Sequence, residues 1–336
     1  MAITAGGDFA AFLDQYNLAA AWRAVEEESG MNNTTRMVYS GDNKYVLRVY
    51  DNHRDAQIVR IEHLVLEGLQ ALKLPFKVPQ PVENNRNSSI TVSPDGKLAA
   101  LFRFIEGDRP SPKNPEHVAG LGRAAGLLSH ALNGVRPDVI PIYKPYYEFD
   151  KTHGAVTDEA IRVMAAESEL LSGRTGQLEQ LLRLRGQLLD LKPRIAALPH
   201  QWIHGDIVFT NSLCEGDRIV GMLDFEFSTV DVRVMELAVV LGEFPEAEEG
   251  TALERTALFC RGFGSAVKLT IDEIALLPEL IKLRMMDVFL HFAGRYAEKL
   301  DPEQVWDGQI VRASYVCEWI NRNLDKLEPM FRQYLL

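Results

Sequence analysis

The side chains best suited to chemistry lie in a short segment between residues 201 and 226. Asp206 follows His204 and Gly205, Asn211 comes five residues later, and Asp224 ends an apolar run thirteen residues after Asn211. The Asp206 carboxylate is of the type that orients a hydroxyl nucleophile and accepts its proton. Asn211 and Asp224 offer the oxygen ligands that Mg²⁺ prefers. This combination predicts phosphoryl transfer of the kinase type, from a nucleotide to a hydroxyl.

The elements around this segment can bring the three side chains together. Residues 220–223 are apolar and predict a buried strand that ends at Asp224, and the sequence Glu-Gly-Asp-Arg at 215–218 predicts the turn before it. Asp206 and Asn211 share one loop, so a hairpin would return Asp224 to their side. Taken alone, Asp206 would be an ordinary loop aspartate, and its two companions argue for the catalytic role.

Two neighbours of these residues have supporting roles in this interpretation. We expect His204 to hold the loop by hydrogen bonding rather than to carry a proton. Glu226, two residues after Asp224, would either assist the metal or form only local hydrogen bonds, and the sequence leaves both roles open.

Upstream of this segment the sequence predicts a mostly β region. A helix over 8–16 precedes strands over 20–28, 35–40, 45–50, 89–92 and 98–104, and Gly-Asp-Asn-Lys at 41–44 predicts the turn of a hairpin. Apolar residues at near-helical spacing predict one long helix over 55–72 within this region. The N-terminal part would therefore be an antiparallel sheet with one main helix.

From residue 115 onward, helical patterns dominate. They cover residues 116–132, 176–198, 253–267, 271–299 and 305–327. We therefore expect an α+β fold with two lobes and a hinge at about 102–108. A small nucleotide-binding lobe would span 1–104, and a larger, mostly helical lobe over 105–336 would hold the catalytic and acceptor residues.

Composition narrows the class of protein. The 336 residues are 46% hydrophobic and 25% charged, which is ordinary for a globular protein. The sequence has neither a run of eighteen apolar residues nor a signal-like N-terminus, which argues against a membrane span and secretion. Its net charge of -11 opposes binding to nucleic acid or anionic membranes. The three cysteines form no C-x-x-C pair, so we expect a cytoplasmic protein without a disulfide framework or a zinc site. We expect it to be a monomer or a homodimer.

The nucleotide phosphates have two candidate partners. Residues 29–35 lie between the first two predicted strands, where the amides and hydroxyls of residues such as Asn33 and Thr34 would donate to phosphate oxygens. This segment has one glycine, so it is neither G-x-G-x-x-G nor a Walker A loop, and an ordinary polar turn is the alternative. Arg48 lies in an otherwise apolar strand and predicts a cation aimed at phosphate or carboxylate, with Glu62 as its partner. The alternative is an edge strand with Arg48 in solvent.

The acceptor has candidates on the long helix over 271–299. Arg284, Asp287, His291 and Arg295 share one face of this helix, which would line a pocket for a zwitterion or an amino alcohol. A solvated polar face is the simpler interpretation. Three tyrosines would either cage an ammonium group or pack in the core: Tyr143, Tyr146 and Tyr147.

Together, H-G-D-x-x-x-x-N at 204–211 and D-F-E at 224–226 resemble the superfamily of aminoglycoside phosphotransferases, choline kinases and homoserine kinases, which are protein-kinase-like small-molecule kinases. The resemblance covers roughly residues 20–300. G-M-N-N-T-T-R-M-V and Y-V-L-R-V-Y look like the family's phosphate loop and third strand, and L-F-R-F-I-E-G at 101–107 looks like its hinge. It therefore implies a bilobal protein-kinase-like fold.

The resemblance also implies roles for individual residues. Asp206 would be the catalytic base, Asn211 and Asp224 the Mg²⁺ ligands, and Glu62 the partner of the phosphate-binding cation Arg48. ATP would be held by Asn33 and Thr34 on the phosphate side and by the hinge residues Arg103, Phe104 and Ile105. From the residues themselves, rather than from the resemblance, the acceptor set would be Arg284, Asp287, His291, Tyr146 and Tyr147, and structural support would come from His204, Glu226, Arg233 and Glu236.

Three positions depart from the family's pattern. Val208 and Phe209 fill the part of the loop where His-Pro or a similar pair is common, Arg48 stands where many members have lysine, and Glu236 stands where aspartate is usual. Arginine can engage phosphate through a bidentate fork. The first change therefore concerns substrate contacts more than catalysis, and none of the three removes a chemically required group.

These observations predict an Mg²⁺- and ATP-dependent phosphotransferase that acts on a hydroxyl of a small metabolite. Homoserine or another amino alcohol is the leading acceptor, and an aminoglycoside is the alternative. A protein kinase is disfavoured because no A-P-E-like segment follows Asp224. A catalytically silent nucleotide-binding module is the remaining alternative, although Asp206, Asn211 and Asp224 are all present.

Overall fold

A five-stranded antiparallel sheet forms the core of the N-terminal lobe. The computed structural model describes residues 9–26, 33–51, 55–245 and 249–336. The strands lie in the spatial order β1-β2-β3-β5-β4. They are β1 (Trp22–Glu26), β2 (Asn33–Ser40), β3 (Asn43–Tyr50), β4 (Thr91–Val92) and β5 (Leu98–Arg103). Their alternating apolar residues, such as Leu47 and Val49 on β3, are buried.

The β2–β3 hairpin is tighter than the sequence predicts. Ser40 pairs with Asn43, so the loop has two residues rather than the four of segment 41–44. Gly41 permits this because its φ is +58°. The first helix is also shorter than predicted: α1 (Ala10–Leu13) ends before Tyr16, whose hydroxyl bonds with the Thr91 hydroxyl and accepts from the Leu101 N–H.

Helix α2 (Ala56–Gln70) lies between β3 and β4 in the chain, and its bounds are close to the helix predicted over 55–72. Asp55 caps it by accepting a hydrogen bond from the Gln57 N–H at 2.9 Å. Its apolar stripe, which includes Val65 and Leu66, is fully buried. The same stripe carries Glu62 into the interior, facing β3.

The C-terminal lobe is mostly helical. Its helices are α3 (Pro115–Leu132), α4 (Phe149–Thr152), α5 (Asp158–Ala166), α6 (Glu169–Ser172), α7 (Thr175–Ile195), α8 (Met235–Leu241), α9 (Glu249–Gly264), α10 (Ile271–Ala297), α11 (Glu303–Arg322) and α12 (Leu324–Leu335). The single helix predicted over 305–327 is wrong. Buried Asn323 leaves helical geometry, with φ -112° and ψ 12°, and the chain continues as a separate helix.

Two small antiparallel pairs frame the segment that contains Asp206, Asn211 and Asp224. β6 (His200–Ile203) pairs with β9 (Thr229–Val232), and β7 (Ser212–Glu215) pairs with β8 (Arg218–Met222). The predicted strand over 220–223 is thus part of β8, which starts earlier and ends before Leu223. The β6–β9 pair was not predicted, because four-residue strands are too short to show periodicity.

The lobes share backbone hydrogen bonds next to this segment. The Lys77 N–H donates to Val220 O and the Met222 N–H donates to Lys77 O, both at 2.9 Å. Asp108, at the end of the predicted hinge, and Cys214 exchange a second pair, at 2.9 and 2.8 Å, which also bonds the connector after β5 to this hairpin. The fold is α+β and bilobal, and the boundary at residue 104 stays a prediction. Among the described residues, no helix combines the length and apolarity that a membrane crossing requires.

Helices α3 and α9 approach each other so closely that glycine is required at their contact. A Cβ at Gly122 would lie 2.3 Å from the carbonyl oxygen of Phe259. We expect Gly122→Ala to lower the free energy of unfolding by about 1–3 kcal/mol, because the backbones must separate. The measurement is urea unfolding followed by circular dichroism. Gly186→Ala is the matched control, since a Cβ there meets nothing within 4 Å and should stabilise helix α7 by about 0.5–1 kcal/mol. Equal effects at both sites would contradict the packing argument.

Candidate active site

The loop that carries Asp206 is fixed by a buried glutamate. β6 ends at Ile203, and the N–H groups of His204 and Gly205 both donate to the carboxylate of Glu236, at 2.5 and 3.2 Å. Gly205 has φ +80°, and a Cβ there would lie 3.1 Å from the carbonyl oxygen of Phe227. Burial raises the pKa of Glu236, while His204 and the two N–H groups oppose the rise. Glu236, where the family's aspartate was expected, therefore anchors the sharp turn before Asp206.

The buried imidazole of His204 connects this loop to the segment before Asp224. Its Nε2 lies 2.8 Å from the carbonyl oxygen of Leu223, and its Nδ1 lies 3.2 Å from the N–H of Asp206. These partners assign the proton to Nε2, since Nδ1 accepts. The ring also packs against Phe225, with 4.5 Å between centroids. These contacts hold the loop in place, and the supporting role of His204 stays a prediction.

Asp206 is held from two sides. Asn211 Nδ2 donates to both the backbone oxygen and Oδ2 of Asp206 at 3.0 Å. Arg284 Nη2, from helix α10, donates to Asp206 Oδ1 at 2.8 Å. Burial raises the pKa of Asp206, whereas Arg284 and His204 lower it. The carboxylate is thus part-buried, oriented and next to a cation.

Asp224 leaves β8 with an unusual backbone. Its φ is +64°, a left-handed conformation that aspartate tolerates better than most residues and that recurs at functional sites. The Leu223 N–H donates to the Asn211 carbonyl at 2.8 Å, which places Asp224 beside the Asp206 loop. Asp224 Oδ1 is buried without a hydrogen bond and lies 3.2 Å from Arg48 Nη1.

Arg48 joins the two lobes electrostatically. Its Nη1 lies 3.0 Å from Glu62 Oε1, and the Tyr50 hydroxyl donates to Glu62 Oε2 at 2.9 Å. β3 is central in the sheet and the Arg48 side chain is 16% exposed, so the interpretation that places Arg48 in solvent on an edge strand is wrong. Burial raises the pKa of Glu62 to about 7, against the effect of Arg48. The pKa of Arg48 is raised, because the negative charges of Asp224 and Glu62 outweigh the lowering effect of burial.

The predicted phosphate loop falls only partly on described residues. Residues 29–32 lie outside them. Asn33 is buried and its Nδ2 donates to Glu226 Oε2 at 2.6 Å, which brings the start of β2 next to the segment after Asp224. Thr34 instead donates to Asp51 at 2.6 Å within the N-terminal lobe. The structure therefore places Asn33 beside Glu226, close to Asp224 in sequence, but it directs Thr34 to Asp51 instead.

The hinge residues lie at the end of β5. The Arg103 N–H donates to Gln80 O at 2.9 Å and the Phe104 N–H donates to Lys44 O at 3.2 Å, so both N–H groups are already bonded. With Ile105, these residues line a cavity of about 350 Å³ that also includes Lys77. Neither these hydrogen bonds nor the lining of this cavity joins Arg103, Phe104 or Ile105 to Asp206 or Asp224.

The acceptor candidates divide into two groups. Arg284 Nη1 donates to the Tyr146 hydroxyl at 2.9 Å and lies 3.6 Å from Asp287 Oδ2. The side chains of Arg284 and Asp287 are only 16% and 20% exposed, so the solvated-face interpretation is wrong for them. His153 Nε2 lies 2.8 Å from Asp287 Oδ1, and this histidine was not anticipated from the sequence.

The contacts of the remaining candidates are with residues other than Asp206 and Arg284. Tyr147 contacts His200 through its hydroxyl at 3.1 Å, and the His291 ring packs against Phe292. Arg295 binds both oxygens of Asp301, at 2.5 and 2.9 Å. Tyr143 packs against Phe227, with 5.5 Å between ring centroids. Arg233 binds Glu273, the third residue of α10 and a member of its capping box with Thr270, at 2.7 and 2.8 Å, which is a structural contact.

Asp231 is a site residue that sequence reasoning missed. It is fully buried on β9, and it accepts the N–H groups of Tyr146 and Val232 at 2.6 Å. The available signal was a lone carboxylate between two valines, Val230 and Val232, in an apolar strand. Its role is to anchor the turn that presents Tyr146 to Arg284 and to the Asp206 loop.

We expect the stability that depends on Asp231 to fall as the pH rises. Burial raises its pKa from 3.8 to about 7, while the two N–H groups oppose the rise. Because the folded pKa is the higher one, this stabilisation is complete below about pH 4 and is lost by about pH 7. The measurement compares the free energies of unfolding of wild type and Asp231→Asn from pH 4 to 8. The wild-type advantage should shrink across this range, and a constant difference would contradict the assignment.

Comparisons with known proteins give consistent results. The profile of a family described as the phosphotransferase enzyme family matches residues 24–264. A homoserine kinase of Bradyrhizobium sp. is 26% identical over 312 residues, covering 89% of this chain and 90% of that protein. An amicoumacin kinase in complex with AMP-PNP, Ca²⁺ and Ami superposes with a TM-score of 0.64 at 13% identity, covering 89% of this chain and 88% of that one. A microcompartment-associated aminopropanol kinase gives 0.62 at 18% identity, with coverages of 94% and 96%. These structural likenesses concern the fold alone.

Proposed function

Since the chain belongs to the phosphotransferase enzyme family and is an ATP-dependent small-molecule kinase acting on hydroxyl groups, we propose that its acceptor is homoserine or another small amino alcohol. The observation that carries the proposal is the pair of opposite charges beside Asp206. Arg284 contacts the Asp206 carboxylate directly, and Asp287 lies 3.6 Å from Arg284. A zwitterionic amino acid such as homoserine offers both matching charges, whereas a simple amino alcohol and a polycationic aminoglycoside offer only the positive one, which is why homoserine leads.

In this proposal Asp206 is the catalytic base. Its carboxylate orients the acceptor hydroxyl toward the γ-phosphate, and the O–H proton passes to a carboxylate oxygen as the new P–O bond forms and the bond to ADP breaks. Asn211 and Arg284 hold the two oxygens of Asp206 in place. The sharp turn at Gly205, anchored by Glu236, fixes the backbone.

The divalent cation would be held by Asn211 and Asp224, with Mg²⁺ as the proposed ion. The buried, hydrogen-bond-free Oδ1 of Asp224 and its strained backbone fit a ligand position. The Asn211 amide nitrogen is committed to Asp206, which leaves its carbonyl oxygen for the ion. When bound, Mg²⁺ neutralises phosphate charge. Among the described residues no three His, Cys, Asp or Glu side chains gather as a metal cluster, so nucleotide phosphates would complete the coordination.

The N-terminal lobe, which we place at residues 1–104 with a hinge at about 102–108, would bind ATP. Arg48 would contact the phosphates while Glu62 fixes its position. Asn33 and Glu226 would close the site from β2 and from the segment after Asp224. Arg103, Phe104 and Ile105 would surround the adenine through backbone groups other than the two N–H groups already bonded.

The test is ADP release with Mg²⁺-ATP and a panel of acceptors. The informative pair is L-homoserine and 3-aminopropan-1-ol, because the second is the first without its carboxylate. Choline, ethanolamine, methylthioribose and kanamycin complete the panel, and Asp206→Asn serves as the blank. We expect the highest kcat/KM with homoserine. Turnover confined to methylthioribose or kanamycin would contradict the proposal.

A further inference from the structure

We propose that Arg284 is a positioning residue that holds Asp206, the base, in its reactive orientation. It does so as part of a chain of hydrogen bonds, here called the bracket, that runs from Asp206 to Arg284 on helix α10, on to Tyr146 and back to Gly205 in the Asp206 loop. This inference rests on the proposed function, because it assigns Arg284 a role in the transfer step itself. That role is additional to any contact Arg284 makes with the acceptor.

The bracket begins with the two oxygens of Asp206. Arg284 Nη2 binds Oδ1 at 2.8 Å, and Asn211 Nδ2 binds Oδ2 at 3.0 Å. One partner comes from the loop itself and the other from a helix 78 residues farther along the chain. With both oxygens held by donors from different elements, the carboxylate cannot rotate freely.

Arg284 is in turn fixed by Tyr146. The Tyr146 hydroxyl accepts from Arg284 Nη1 at 2.9 Å and donates its own proton to the carbonyl oxygen of Gly205 at 2.7 Å. The guanidinium also lies over the Tyr146 ring, 5.5 Å from its centroid. Since Gly205 precedes Asp206, the bracket closes on the loop that it positions.

The environment makes this arrangement rigid. The neighbours of Arg284 on α10, Leu283 and Met285, are 1% exposed, and Asp231 anchors the Tyr146 backbone by a 2.6 Å hydrogen bond. Burying an ion pair costs desolvation that the Coulomb attraction barely offsets, so stability alone is a weak reason to keep one. A requirement for orientation accounts for the pair better, because small misplacement of a catalytic group can cost about 10²-fold in rate.

A lysine cannot replace this geometry. The guanidinium fork holds Tyr146 and Asp206 with two different nitrogens, whereas an ammonium is a point charge on a flexible stem. Tyr146→Phe keeps the aromatic ring but removes the hydroxyl that links Arg284 to Gly205. The two substitutions therefore remove different halves of the bracket.

The experiment measures kcat and KM with L-homoserine and with 3-aminopropan-1-ol. In Arg284→Met we expect kcat to fall by about 10- to 100-fold with both acceptors. Arg284→Lys should recover only part of this loss, and Tyr146→Phe should lower kcat in the same direction but less. Arg174→Met is the matched control, since Arg174 makes two hydrogen bonds to a single carboxylate, that of Asp307, and has no place in the proposed site. It should keep the wild-type kcat.

Two results would overturn the inference. One is an Arg284→Met variant that raises KM for homoserine while kcat is unchanged with both acceptors, because Arg284 would then only bind the carboxylate. The other comes from thermal unfolding of Arg284→Met, Asp206→Asn and the double variant. Non-additive shifts in midpoint support the pair, and additive shifts contradict it. Because this cycle needs no turnover, it remains decisive if no acceptor in the panel is phosphorylated, the outcome that counts against the proposed function.

Discussion

In Asp206→Asn, we expect kcat for phosphoryl transfer to fall by about 10²- to 10⁴-fold, the range that a general base usually contributes. Asparagine keeps the size of the side chain and an oxygen for Arg284 Nη2, but it cannot accept the hydroxyl proton. Its amide would also face the amide of Asn211, which now donates to Asp206 Oδ2. The nucleotide contacts assigned to Arg48 and Asp224 are untouched, so affinity for ATP should stay near the wild-type value.

Two measurements separate these effects. Acceptor-dependent ADP release gives kcat, and isothermal titration calorimetry gives the Kd for ATP. Asp190→Asn is the matched control, since Asp190 is exposed on helix α7 and carries the same substitution. A turnover rate in Asp206→Asn that is comparable with that of the control would reject Asp206 as the base.

The second large effect is expected at Asp224. Asp224→Asn should lower metal-dependent nucleotide affinity and reduce turnover by at least about 10²-fold, because it removes the negative charge that balances a divalent cation. Asparagine is preferred to alanine for this test because it also tolerates the left-handed backbone at φ +64°. The loss therefore reports the missing charge rather than backbone strain.

The measurement is the Kd for ATP with and without Mg²⁺. Wild type should bind ATP more tightly with the metal, and Asp224→Asn should show little dependence on it. The thermal midpoint of the variant provides the check on folding. An unchanged dependence on Mg²⁺ would mean that Asp224 is not a metal ligand and serves only as the partner of Arg48, from which it lies 3.2 Å.

The features that sequence predicts well are those that depend on nearby residues. The helices α2, α3 and α10 show apolar spacing over fifteen or more residues, so their existence follows from local pattern. Asp206, Asn211 and Asp224 fall within one short segment, which made their grouping visible. The ion pair between Arg48 and Glu62 was also inferred, since Arg48 is the one cation in an otherwise apolar strand and Glu62 lies on the helix that follows.

The features that were missed depend on contacts between distant parts of the chain. The helical period places Arg284 on a polar face, but it does not reveal that this face meets Asp206. Tyr146 and Asp231 are 85 residues apart, and His153 and Asp287 are 134 residues apart. Periodicity identifies which side of an element is polar, whereas only tertiary packing decides what that side contacts. Short strands such as β6 and β9 were missed for a different reason, since four residues are too few to show a periodicity.

The hydrogen bonds that Lys77 and Asp108 make to the hairpin of β7 and β8 constrain how the enzyme can open. Both pairs lie close to the hairpin that delivers Asp224. A rotation of the sheet that preserves these bonds must turn about a line near them. Asp224 would then stay almost stationary while β1, at the far edge of the sheet, travels through the widest arc. The hairpin would then act as the pivot between the sheet and the helical lobe, and Asp224 would keep its place while nucleotide enters and leaves.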